Sequence, residues 1–310
     1  MEKPIPYDVV IVGGGPAGLS AALNLGRARK RVALFDAGPP RNAAAAHIHG
    51  FVTRDGTPPA EFRRIGREQL REYPAVHVRE AAVESITREG ELFVARAGEA
   101  RIEARRVLLC VGMIDLMPDL PGFRELWGKS IFQCPYCHAW EVQDRAFGVL
   151  ATSLPLVEFA LFLTAWTRDL VVFTSGALAI PAELRARLDG AGIRVEEGPI
   201  RALRARDGHL DAVELVGGEA VARDILFARP AQRQTALVSS LGLALDEQGY
   251  VRADDHKATS VAGIHAAGDL TTMMQNALFA AAAGAMAAVM MNHGLTLEAV
   301  AREAPRPAML

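Results

Sequence analysis

The chain has 310 residues, of which 50% are apolar and 23% charged, with a formal net charge of -2 at pH 7. That length leaves room for two domains, since single hydrophobic cores stop growing at roughly 250 to 300 residues. The basic residues are scattered, with no lysine-rich run and no basic patch interleaved with aromatics, so no nucleic-acid partner is expected.

The first stretch, MEKPIPY, leads into a short apolar run that glycines break at once, which does not read as a secretory leader. The protein is therefore expected in the cytoplasm. Three cysteines are too few for a secreted disulfide scaffold.

Residues 7–38, YDVVIVGGGPAGLSAALNLGRARKRVALFDAG, run from an apolar strand through a glycine turn into a helix and a second apolar strand. That is a β-α-β unit. Gly13, Gly15 and Gly18 make a GxGxxG turn, with Pro16 and Ala17 inside it. Glycines suit this position because the turn is tight, the backbone must approach a pyrophosphate, and the helix must pack closely on the strand. The phosphate would lie on the helix N-terminus, and Asp36, closing the second strand, stands where a carboxylate can accept ribose hydroxyls. A bare GxGxxG is a weak signal, but strand, helix and terminal acid agree here.

Residues 40–60 hold too many turn formers for regular structure, and an arginine-rich helix is predicted from about Pro59 to Tyr73. Three strand-like pieces then lead to Gly112. Cys110, in RVLLCVG, reads as a small buried apolar residue. PDLPGF, residues 118–123, reads as a linker, after which CPYCHAW places Cys134 and Cys137 two residues apart with His138 following.

A CxxC pair can close a small disulfide and lower the thiolate pKa of one member. His138 stands where a proton acceptor helps thiol exchange near pH 7. Zinc would need two further ligands at finger-like spacing, and the chain supplies neither, so no metal is expected.

Beyond the pair, RAFGVLATSLPLVEFALFLTAWTRDLVVFTSG repeats the order strand, turn, helix, strand. The last piece has no self-sufficient core and is expected to return to the first unit. The predicted domains are thus 1–117 with 246–310, and an inserted 118–245. The uncharged stretch Leu270–Asn292 is nominally long enough to cross a bilayer, but Thr271, Thr272, Gln275 and Asn276 and the many alanines predict a buried, tightly packed helix and no membrane partner.

GGGPAG near the start, CxxC in the middle and AAGD near the end, in that order, resemble the low-molecular-weight thioredoxin reductase family over essentially the whole chain. The resemblance implies an α/β fold of two Rossmann-like dinucleotide-binding domains, one inserted in the other. It also implies FAD in the discontinuous domain, NADPH in the inserted one, and a homodimer. By the same likeness Gly268 and Asp269 hold the ribityl and phosphate portion of FAD, and Gln275 and Asn276 open the next helix near the flavin. Arg41 and Asn42 meet FAD, His47 or His49 lies near its ring, and Val83 and Gly112 complete the set. Cys134 is implied as the exchanging thiol and Cys137 as the flavin-facing one.

The inserted domain departs from that pattern. A nicotinamide-binding turn would read roughly GxGxxA or GxGxxG, whereas Ala151, Thr152, Ser153, Leu154, Pro155 and Leu156 stand there. The arginines that hold a 2'-phosphate are missing too, since after LVVFT no arginine occurs before Arg185. CPYCHAWE, PRN and HGFVTRDGTPP are similar to the branch of dithiol oxidases that close disulfides in gliotoxin-like and holomycin-like natural products. That likeness implies a small-molecule or protein dithiol as substrate, oxygen as acceptor, and His138 as the acid/base. A reductase of the same fold drawing on NADPH or another donor, and a flavin-bearing redox sensor, are the alternatives.

Overall fold

The structure, a computed structural model, describes residues 5–303. The chain divides into two compact units, one of residues up to 43, 57–114 and 232 onward, the other of 44–56 and 115–231. Three boundaries differ from those expected, the smallest being the entry to the second unit at 115 rather than 118. The return to the first unit comes at 232 rather than 246, because the helix Ala236–Ser240 and the following turn bury Val238 and Leu243 in that unit's core. The segment 44–56, expected in the first unit, belongs with the second. Its Ala44 backbone packs so tightly on Gly128 that a Cβ there would come within 2.5 Å of the Ala44 carbonyl oxygen.

In the first unit, β1 (Tyr7–Val12), α1 (Pro16–Arg27) and β2 (Val32–Phe35) form the expected β-α-β start. There follow α2 (Pro59–Leu70), β3 (Val76–Arg79), β4 (Ser85–Glu89), β5 (Leu92–Ala97) and β6 (Ala100–Leu109). The sheet runs β3-β2-β1-β6-β5-β4, parallel from β3 to β6 and antiparallel beyond. β1 is buried on both faces, as parallel strands covered by helices are. Val9 and Ile11 join one core with Leu25 and Leu34, while Val10 and Val12 join another with Phe35 and Leu109.

In the second unit, β7 (Ile131–Phe132) leads into the single turn α3 (Pro135–His138). Next come β8 (Phe147–Leu150), α4 (Leu154–Leu163), β9 (Leu170–Phe173), α5 (Ala182–Gly190) and β10 (Arg194–Glu196). A three-stranded antiparallel sheet, β11 (Ile200–Arg206), β12 (His209–Leu215) and β13 (Ala220–Ala222), precedes β14 (Ile225–Ala228). The main sheet is parallel in the order β10-β9-β8-β14-β7. It is a second nucleotide-binding-like architecture, as the repeated strand-helix-strand pattern predicts.

Back in the first unit, α6 (Ala236–Ser240) leads to β15 (Ile264–Ala266), which pairs with the end of β6, and the chain closes on α7 (Ala277–Glu303). α7 lies against α1 so closely that a Cβ on Gly284 would meet the Ala17 carbonyl oxygen at 2.0 Å. The expectation of a buried, tightly packed helix is met on one face only. Ala280, Ala287, Ala288, Met291 and Leu295 pack inward, while Phe279, Met286, Val289, Leu297 and Val300 are exposed.

Candidate active site

The β1-α1 turn is shaped by what its glycines exclude. Gly13 has φ +113°, and a Cβ on it would sit 2.2 Å from the Cys110 carbonyl oxygen. A Cβ on Gly18 would sit 1.8 Å from the Gly13 carbonyl oxygen. At Gly15 nothing lies within 4 Å, so the space outside the turn is open where the α1 N-terminus points. No side chain caps that terminus, and Pro16, which lacks an amide hydrogen, takes the first helical position. Open space beside free amides at a helix start is the physical requirement for a pyrophosphate, and this turn fits one.

Asp36 closes β2 and is only 5% exposed. Arg63 and Arg67 of α2 both donate to its Oδ2, and the Gly38 amide donates to Oδ1 at 3.2 Å. Burial alone would raise the Asp36 pKa, but the arginines and the amide outweigh it and hold the carboxyl below its ordinary value. A carboxylate has about four acceptor sites. The group proposed for the ribose is thus already fixed in place by α2. Sequence reading noted the arginine-rich helix without its partner, although the spacing of Arg63 and Arg67 puts both on one helical face.

At the C-terminal end of the sheet, Gly268 has φ +94° and Asp269 follows it. Arg41 donates to Asp269 Oδ2 at 2.9 Å and to Gln275 Oε1 at 2.6 Å. Gln275 Nε2 in turn donates to the Asp269 carbonyl at 3.2 Å and to Gln232 Oε1 at 2.9 Å. Tyr250 donates to Gln232 Oε1 at 3.1 Å. Arg41, Asp269 and Gln275 are therefore brought together, while Gln232 and Tyr250 carry no motif and were missed. Asn276 accepts from the Phe279 amide at 2.7 Å, which makes it the cap of α7. Asn42 lies in a short 3-10 turn. At Gly112, which has φ +67°, a Cβ would meet nothing within 4 Å. Val83 is buried in the core with Phe35 and Leu109.

In the second unit Cys134 and Cys137 are joined in a disulfide with Cα atoms 5.3 Å apart, both cysteines half-buried. Pro135 is buried beneath the turn, and Tyr136, between the cysteines, is 70% exposed, as is Trp140 at 69%. His138 stacks on Phe132, ring centroids 4.3 Å apart and 11° from parallel. Neither ring nitrogen makes a well-formed hydrogen bond, although the Cys134 carbonyl lies close enough to favour a proton on the ring. Burial dominates and lowers the His138 pKa, which keeps the imidazole neutral and able to accept a proton. Cys110, by contrast, is buried among apolar groups that push its thiol pKa up, and it is inert.

His49, expected near the flavin ring, lies in the cysteine-bearing unit, where it is paired with Asp55 and Glu141. The His47 ring is 6.0 Å from it. Ala151, first residue of the β8-α4 turn, is only 2% exposed, and Ser153 precedes α4 in extended conformation. Leu178 and Ile180, in the loop after β9, pack on the core that holds Ala160 and Leu188. Thr152, Ser153, Leu154 and Pro155 stand in this turn where the β1-α1 turn has glycines, and residues 169–184 contain no Lys, Arg or His.

The model of the pyridine nucleotide-disulphide oxidoreductase family matches residues 7–287. A thioredoxin reductase from Claviceps purpurea, tcpT, is 33% identical over 283 residues, covering 87% of this chain and 88% of that protein. The crystal structure of HlmI is similar with a TM-score of 0.91 at 37% identity, over 97% of this chain and 96% of that one. An oxidoreductase from Agrobacterium tumefaciens is similar with a TM-score of 0.89 at 36% identity, over 94% and 99% of the two chains. With a redox disulfide in one unit and a pyrophosphate-shaped turn in the other, the chain belongs to the pyridine nucleotide-disulphide oxidoreductase family, among its thioredoxin reductase-like flavoenzymes, whose cofactor is FAD.

Proposed function

We propose that the enzyme oxidises a substrate dithiol to a disulfide through Cys134 and Cys137, with FAD as the electron acceptor, oxygen as the final one, and no use of NADPH. The observation that carries this reading is the β8-α4 turn. Ala151 to Leu156 replace the glycines a nicotinamide dinucleotide needs, in an otherwise intact two-unit architecture.

The residues of the first unit would hold FAD at two places. The Gly13-to-Gly18 turn faces the pyrophosphate, with Asp36 at the ribose, and the Arg41, Asp269 and Gln275 network faces the ribityl end. FAD, when bound, supplies the two-electron acceptor that returns the cysteine pair to the disulfide. Cys134 takes the substrate sulfur, Cys137 receives the electron pair of the broken bond, and neutral His138 accepts the thiol proton. Exposed Tyr136 and Trp140 beside the pair suit an apolar dithiol. The exposed apolar stripe of α7 supports a homodimer, and the enzyme is assigned to the cytoplasm.

The test is anaerobic mixing of the flavin-loaded enzyme with NADPH and, separately, with dithiothreitol, followed by flavin absorbance. Bleaching by the dithiol alone, reversed by air with release of peroxide, is the expected result. Fast bleaching by NADPH would overturn the reading and favour the second one, a disulfide reductase, which the names of relatives such as tcpT support.

A further inference from the structure

The turn that carries the disulfide is flanked by an aromatic corner that no motif marks. Tyr136, between the two cysteines, is 70% exposed, yet its ring rests on two others of the second unit. Its centroid lies 5.8 Å from that of Phe162, in α4, and 5.7 Å from that of Trp166, just beyond α4. The Phe162 and Trp166 centroids are 5.4 Å apart. The three planes are inclined to one another by 60° to 88°, so each pair meets edge to face. Phe159 extends the corner, 6.1 Å from Phe162, and the Arg229 guanidinium lies 4.8 Å over its ring.

Three features say what suits this corner. It borders the reacting bond, since Tyr136 stands between the bonded cysteines and a molecule whose sulfur bonds to either of them lies beside it. It is uncharged, since between Leu154 and Trp166 the single charged residue is Glu158, and Arg187 pairs with that at 2.8 Å. It is also small. With Tyr136 70% and Phe162 44% exposed, the two rings offer roughly 200 Å². A standard protein interface takes about 800 Å² from each partner. An occupant held by ion pairs finds no partner here, and a protein finds too little area, whereas one flat apolar molecule is matched in both respects.

We propose that Tyr136, Phe162 and Trp166 form the specificity surface of the exchange site and select dithiols carried on a flat, uncharged ring, which stacks on one face of the corner while its edge meets another. The inference rests on the thiol exchange in the proposed function, but not on where the electrons go afterwards. In that exchange a bond forms between the two substrate sulfurs and the Cys134–Cys137 bond breaks. The substrate loses two electrons and two protons, the electrons pass to the cysteine sulfurs, and the protons pass to those sulfurs or to solvent.

The test compares two dithiols that close disulfide rings of the same size: 1,2-bis(mercaptomethyl)benzene, which carries a flat ring, and dithiothreitol, which does not. Flavin-loaded full-length enzyme is mixed anaerobically with each over a range of concentrations and quenched with iodoacetamide at set times, and the alkylated Cys134 and Cys137 are counted by mass spectrometry. Phe162→Ala and Trp166→Ala are each expected to slow exchange with the benzene dithiol by about fivefold, within what one aromatic contact contributes. The loss should lie in the half-saturating concentration rather than in the rate at saturation, and exchange with dithiothreitol should be unchanged. Phe162→Tyr, which keeps a ring, should keep the preference, whereas Phe162→Leu, apolar without a flat face, should lose it.

Trp166 is half-buried, so if Trp166→Ala does not fold, the Phe162 series decides the matter alone. Equal slowing of both dithiols, or wild-type rates with both, would overturn the proposal. So would reduced thioredoxin that exchanges faster than the benzene dithiol and loses more in the same variants, since the corner would then be a protein docking face. A ring preference that the variants abolish, in an enzyme whose flavin does not bleach with either dithiol, would keep the specificity surface and sink the oxidase reading. Bleaching by both dithiols with no ring preference in any variant would do the reverse.

Discussion

Arg41 donates to Asp269 at 2.9 Å across 228 residues of chain, so the loop after β2 and the loop after β15 are tied at one point of the first unit. Both side chains are only about a fifth exposed, at 19% and 22%, which raises the worth of the pair above that of an exposed one. Arg41→Met should therefore loosen Asp269 and Gln275 together. Losing a charge-assisted hydrogen bond of roughly 1.5 to 3 kcal/mol would weaken FAD retention by about tenfold or more. Flavin released on ultrafiltration of the purified variant, with circular dichroism unchanged, is the measurement.

The glycine turn offers a contrast within four residues. Gly15→Ala adds a methyl where nothing lies within 4 Å, so the chain should fold while the methyl occupies the pyrophosphate's space. Gly18→Ala drives its methyl to 1.8 Å from the Gly13 carbonyl oxygen and should separate α1 from β1. The first variant is expected as a colourless, folded protein, the second as an insoluble one. A yellow Gly15→Ala protein with normal flavin content would remove that turn from the cofactor site.

These two loci also show how much was legible beforehand. The turn could be read because its demand is local: tight geometry and close approach impose glycine at fixed spacing, whatever the rest of the chain does. The clamp on Asp36 could not, since Arg63 and Arg67 meet it only after α2 folds back beneath β2. Gln232 and Tyr250 were invisible for the same reason. That His49 folds with the cysteine pair was not legible either, because its short loop, 44–56, sits inside the sequence of one unit and folds with the other. The repeated strand-helix-strand pattern, by contrast, announced both sheets, because period and run length are properties of the strands alone.

His265 gives a stability prediction in acid. It lies in β15, where burial and then the Arg106 charge push its pKa down to about 4 against an ordinary 6.5, with Asp254 opposing. Its proton therefore binds the unfolded chain more readily than the folded one. Stability is complete above pH 6.5, declines as pH falls from 6.5 to about 4, and levels off below that, where both states are protonated. The full loss amounts to about 3 kcal/mol. Urea unfolding should thus show the wild type losing about 3 kcal/mol relative to His265→Gln as pH falls from 6.5 to about 4, and parallel curves would show that this imidazole does not titrate differently on folding. His138, lowered in the same direction, contributes equally to both proteins and cancels in the comparison.

The outer face of α7 carries the prediction about assembly. Phe279, Met286, Val289, Leu297 and Val300 are exposed by 45% to 61%, and their spacing places them in one stripe along the helix. Ala280, Ala287, Ala288, Met291 and Leu295 occupy the opposite face, buried against α1 and its sheet. A stripe of this length on a monomer would be an apolar patch with nothing covering it, and a twofold axis lets the same stripe cover itself in a second copy. Met286→Glu combined with Val289→Glu places like charges across that axis and buries them without partners, at several kcal/mol per ion. Light scattering on a sizing column should then show the wild type at twice the chain mass and the double variant at the mass of one chain, with flavin content retained. A variant that remains dimeric would move the interface off α7.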